Sequence, residues 1–166
     1  MRFILIIMLS ILPLDSSAIE IQNFKSGLMC GINKDEMGWV CFEQEEINVT
    51  GQSTCLSGED VLKCTWYGYS FDYVDAKPGQ KVSCKYWDSE PVTNVNLEGA
   101  EEESKKYFEF SFILDKSQGH FTNPQYSVLG VSGTNKAKKI TQEVVCSSEG
   151  VELYSYKFET IYPAGQ

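Results

Sequence analysis

The chain has 166 residues, 23 of them acidic and 14 basic, for a net charge of −9, with one histidine and six cysteines. That balance disfavours nucleic acid and anionic lipid as partners, because the phosphate attraction that drives such binding becomes repulsion overall. After the first eighteen residues no stretch approaches the about 20 apolar residues that a membrane-spanning helix needs, and one compact domain with a sizeable core is expected.

Residues 1–18 read as a secretory signal. Arg2 is followed by an apolar run over 3–14, broken by Ser10 and Pro13, and then by Asp15, Ser16, Ser17 and Ala18. The small residues Ser16 and Ala18 predict cleavage after Ala18, leaving residues 19–166 as a secreted or periplasmic protein. Arg2 and Asp15 leave together, so the mature charge stays at −9.

Residues 19–28 and 38–42 are weak strand candidates. Asn48, Val49 and Thr50 form a glycosylation sequon, with Asn48 as the acceptor in a host that glycosylates exported proteins. Residues 65–73 give the clearest strand: Tyr67, Tyr69, Phe71 and Tyr73 fall on one face and Trp66, Gly68, Ser70 and Asp72 on the other. A turn through Pro78 and Gly79 leads to a strand over 81–87 that places Val82, Cys84 and Tyr86 together.

Residues 97–106 admit two readings, a short helix with Glu101, Glu102 and Glu103 early and Lys105 and Lys106 late, or a solvated acidic linker. The second half returns to period two. Phe108, Phe110, Phe112 and Leu114 share a face, a turn is expected over 116–119, and strands are expected over 126–131 and 140–146. In the last strand Tyr154, Tyr156, Phe158 and Tyr162 alternate with Leu153, Ser155, Lys157 and Ile161. The expected architecture is a mostly antiparallel, all-β sandwich of seven or eight short strands, stapled by disulfides. Residues 151–162 also bear a faint resemblance to the final strand of fimbrial subunits, from whose usual pattern the six cysteines depart.

Cys30, Cys41, Cys55, Cys64, Cys84 and Cys146 are even in number behind a signal, which predicts three bridges, with the pairing left open. Only Cys146 lies in the C-terminal half, so full internal pairing requires it to bridge back to one of the other five. Trp39, Trp66 and Trp87 each lie within three residues of a cysteine, a spacing that suits rings packed on disulfides.

Catalytic sets are incomplete. His120, expected in a turn, is the only base for a Ser or Cys nucleophile, and no Gly-x-Ser-x-Gly elbow is present. Asp115, Ser117 and Gly119 begin a calcium-loop pattern that fails at Tyr126. Gly130 and Gly133 lack phosphate-loop spacing. No cofactor or metal is expected. Paired-carboxylate hydrolysis needs only two acids, and Asp72, Asp75 and Glu109 are the first to inspect.

The sequence therefore points first to a non-catalytic binding protein, in its sharpest form an acidic inhibitor or immunity-type protein against a basic protein partner. Trp66, Trp87, Glu101, Glu102 and Glu103 are its candidate binding residues, and a small ligand or glycan is the other ligand class. A structural or adhesive subunit that pairs through its last strand is the alternative, and a secreted carboxylate hydrolase is the third.

Overall fold

The computed structural model describes residues 19–33, 35–57, 60–92, 104–129 and 137–164. The expected signal, Glu101, Glu102, Glu103, Gly130 and Gly133 lie outside those residues. Ten strands follow in chain order: β1 (Glu20–Ile32), β2 (Met37–Glu43), β3 (Glu46–Asn48), β4 (Ser53–Ser57), β5 (Asp60–Val74), β6 (Gln80–Val92), β7 (Lys105–Leu114), β8 (Gly119–Val128), β9 (Lys138–Ser148) and β10 (Val151–Tyr162).

The first sheet runs β2-β1-β5-β4, with β8 on the opposite edge of β5; the second runs β3-β10-β9-β6-β7. All pairings are antiparallel except β3 with β10, which is parallel. Alternation builds the interior as expected. Tyr67, Tyr69, Phe71 and Tyr73 of β5 are buried against Val82, Cys84 and Tyr86 of β6, Val144 and Cys146 of β9 and Tyr154 and Phe158 of β10. Phe110, Phe112 and Phe121 close the side where β7 hands the chain to β8, with Phe112 and Phe121 stacked at 3.9 Å between centroids.

Four expectations are corrected. The strands number ten among the described residues, and β1, β5 and β6 are long rather than short, because each continues past the sandwich core. Lys105 and Lys106 belong to β7 and pair towards β6, so the C-terminal end of the 97–106 segment is strand and not helix; residues 97–103 lie outside the described set. His120 sits in β8, opposite Asp72, and not in a turn. The strand expected over 126–131 begins at Gly119 because Pro124, opposite Gly68, is tolerated on an edge strand whose outer N–H positions need no ladder partner.

The bridges are Cys30–Cys41 across β1 and β2, Cys55–Cys64 across β4 and β5, and Cys84–Cys146 across β6 and β9. Cys146 thus ties back to the N-terminal half through Cys84.

The centre is partly polar. Between the sheets the Tyr154 hydroxyl donates to the Tyr69 oxygen at 3.2 Å, and the Tyr156 hydroxyl donates to the Tyr86 oxygen at 3.3 Å. Asn123 donates to Tyr69 and Tyr86, and Gln125 to Tyr86 and Tyr156. Burial raises all four phenols above their usual range, so they remain neutral donors. A buried hydroxyl with partners avoids the desolvation cost of an unpaired one.

Candidate binding groove

β1 follows β5 from Glu20 opposite Val74 to Leu28 opposite Tyr67. Beyond Leu28 it pairs only with β2, and the β1–β2 ladder slips at the Leu28/Met29 step. Glycines permit this departure. Gly27 faces Gly68 across the ladder; a Cβ on Gly68 would lie 2.7 Å from the Met29 sulfur and 2.1 Å from the Asn123 carbonyl oxygen, and one on Gly27 would lie 2.0 Å from the Phe42 carbonyl oxygen. Only residues without a Cβ allow the strands to pass this closely.

β4 then occupies the same edge of β5, from Ser53 opposite Cys64 to Ser57 opposite Asp60. Val128 of β8 takes the other side of Cys64, which fixes β4 on the side that β1 has left. The result is a groove of about 500 Å³, lined by residues 28–32, Cys41, Phe42, residues 52–54 and Trp66. Each flanking hairpin is pinned by its own disulfide, Cys30–Cys41 on one side and Cys55–Cys64 on the other.

Large apolar side chains remain in solvent here. Phe42 is 64% exposed and Trp39 56%, with Met37 beside them on β2 and Leu56 and Val61 directly opposed on the β4–β5 hairpin. Trp66, partly buried, meets Tyr126 edge-on at 4.9 Å, and the Tyr126 hydroxyl donates to the Leu56 carbonyl oxygen at 3.4 Å. Isolated exposed apolar residues are ordinary; here Phe42 lines the groove itself, and Met37, Trp39, Leu56 and Val61 stand on the hairpins that flank it.

The remaining candidates separate. Trp87 lies on the second sheet, 42% exposed beside Tyr107, so the structure does not bring it to Trp66. Asn48 is exposed at the end of β3. Asp72 accepts from Asn23 at 2.7 Å and faces the His120 Nδ1 at 2.8 Å. These contacts, Asn23 first, hold its carboxyl below the usual range. Among the described residues no hydroxyl or thiol joins His120 to complete a nucleophilic set. Glu109 accepts from the Tyr107 hydroxyl, Asp75 lies in the turn after β5, and neither hydrogen-bonds to Asp72. Among the described residues no three His, Cys, Asp or Glu side chains converge on a metal position.

One polar site was missed by the sequence reading. Asp88, only 7% exposed, opposes Gln142 across β6 and β9 and accepts from its Nε2 at 3.3 Å. The Asp88 Oδ2 and the Gln142 Oε1 are buried without hydrogen-bond partners. Burial pushes the Asp88 carboxyl up to about 6. Its parity with Val82, Cys84 and Tyr86 was the available signal: an acid on the inward face of a strand.

No family model matches the chain, and no curated protein matches it. Among solved structures it is similar to an immunoglobulin-like protein from Pseudomonas aeruginosa, at TM-score 0.51 and 9% identity, over 88% of this chain and 98% of that one. That likeness is one of fold alone and supports the two-sheet, immunoglobulin-like sandwich. The DNA-bound alkylpurine DNA glycosylase AlkC from Pseudomonas fluorescens aligns at TM-score 0.36 and 17% identity, over 86% of this chain and 30% of that one, too low to bear on fold or function.

Proposed function

We propose that this is an exported, non-catalytic protein-binding module whose docking surface is the groove between the β1–β2 and β4–β5 hairpins. The observation that carries the reading is the exposure of Phe42, Trp39 and Met37 beside a groove held open by two disulfide-pinned hairpins. Aromatic and Met side chains are favoured at interface centres because they bury large area for few frozen torsions. Three disulfides are compatible with an extracellular or periplasmic site of action, and no helix among the described residues is long and apolar enough to cross a membrane.

The net charge of −9 favours a basic partner, and the inhibitor or immunity-type role is the sharpest form of this reading. Electrostatic steering would then speed association more than it deepens affinity. The adhesive alternative rested on the last strand. β10 is paired with β9 from Val151 to Tyr162 and with β3 at its end, so it offers less free edge than its alternation implied.

The test is affinity capture from the native extracellular or periplasmic extract, with the oxidised mature protein as bait at low and high salt. A stoichiometric basic protein, retained at low salt and depleted at high salt, is expected. Capture of no protein at either salt would contradict the reading.

A further inference from the structure

We infer that the groove takes an extended polypeptide segment as an additional strand, apolar along its length and flanked by Lys or Arg. This deepens the docking reading above and rests on it. A groove walled by the face of a strand is lined by alternate residues, because successive side chains point to opposite faces. Here the lining is consecutive on both sides, residues 28–32 of β1 and 52–54 leading into β4. Consecutive lining is the mark of strand edges, where backbone as well as side chains meets the ligand.

The pairings agree. From Met29 onward β1 has β2 on one edge and no strand on the other, and β4 has β5 on one edge and no strand on the other, among the described residues. An inserted strand would offer its N–H and C=O groups to these edges and its alternate side chains to Trp66 and Phe42, the mode of recognition in which backbone gives affinity and side-chain pockets give selectivity. Charge sets the flanks of the ligand. Among the described residues Asp35 and Glu36 stand exposed where β1 turns into β2 and Asp60 where β4 turns into β5, with Lys63 nearby and Glu43 already paired with Lys25 at 3.4 Å, so the groove ends favour cationic side chains.

The experiment pans the oxidised protein against a display library of random linear peptides about nine residues long, enough to span roughly 30 Å as a strand. Phe42→Asp serves as the counter-selection variant and Trp66→Ala as a second one, each first shown to keep the wild-type melting temperature. Enriched peptides should alternate apolar residues with period two, carry Lys or Arg at their ends and lack internal Pro. Methylating alternate backbone amides of the best peptide should weaken it about tenfold or more. Equal binding after methylation, or equal enrichment on Phe42→Asp, would overturn the inference. So would an empty selection from a protein that still captures a folded partner through Phe42, an outcome that leaves the docking reading standing; if neither peptide nor folded protein binds, both fail.

Discussion

Asp88 stands two residues beyond Tyr86 on the inward face of β6, and its opposed neighbour on β9 is Gln142. Each side chain has one acceptor oxygen buried without a partner, an arrangement that a proton on the carboxyl relieves. Around it stand Tyr67 of β5 and Tyr162 of β10, both neutral phenols raised by burial, and the Lys138–Glu90 ion pair at 2.8 Å. The folded carboxyl titrates at about 6 against an ordinary 3.8, so the folded state holds the proton more tightly than the unfolded one. The stability that Asp88 contributes is therefore fully present below about pH 4 and is lost as pH rises through about 6. Asp88→Asn should be more stable than wild type at pH 7.5 by about 1 kcal/mol, after allowance for partial hydration, with the difference vanishing near pH 4. Urea unfolding of both proteins at several pH values checks this; a difference independent of pH would refute it. Tyr156→Phe removes a hydroxyl that donates to Tyr86 and accepts from Gln125, and should cost about 1 kcal/mol in the same assay.

At the scale of elements, the three disulfides differ in what they restrain. Cys84–Cys146 closes 62 residues and Cys55–Cys64 only 9. Loop-closure entropy predicts losses of about 4 and about 2.5 kcal/mol when each pair is replaced by serine. Thermal unfolding of the two double variants should show the larger fall for Cys84–Cys146; the reverse order would mean that native contacts, rather than chain restraint, govern their contribution. Gly68→Ala should displace Met29 of β1 and strain the β5–β8 ladder, because its Cβ would lie 2.7 Å from the Met29 sulfur and 2.1 Å from the Asn123 carbonyl oxygen.

These elements were unequally legible. β5, β6, β7 and β10 announced themselves because each buries one face, so alternation survives in the sequence. β3 and β4 were invisible: three and five residues long, they are too short for a period to register. β8 begins at Gly119, seven residues before the strand expected over 126–131, and Pro124 within it is harmless only because that strand lies at a sheet edge. Trp66 and Trp87 were singled out together for their nearness to cysteines, yet they occupy different sheets. Sequence proximity to a bridge says nothing of which face a ring reaches. The groove itself depends on where β1 leaves β5 and β4 begins, between the Leu28–Tyr67 and Ser53–Cys64 pairs, and such long-range register leaves no local trace.

On the scale of the whole molecule, the polar and apolar parts have separate places. The sandwich interior holds the tyrosine network, the Cys84–Cys146 bridge and the Phe112–Phe121 stack, and these account for a rigid frame. Phe42, Trp39 and Met37 contribute little to that frame, since they remain in solvent. Trp39→Ala and Phe42→Ala should therefore leave stability within about 0.5 kcal/mol of wild type, while a core truncation such as Phe158→Ala should cost about 3–5 kcal/mol. Denaturant titration of the three variants separates surface from core; a large loss for Phe42→Ala would mean that the ring serves packing rather than binding.

The most direct test of the docking surface is capture from native extract with three baits in parallel: wild type, Phe42→Asp in the groove, and Trp87→Ala on the other sheet. The groove reading predicts that Phe42→Asp loses the partner about tenfold or more while Trp87→Ala retains it at the wild-type level. A partner lost by Trp87→Ala and kept by Phe42→Asp would place binding on the second sheet and contradict the account.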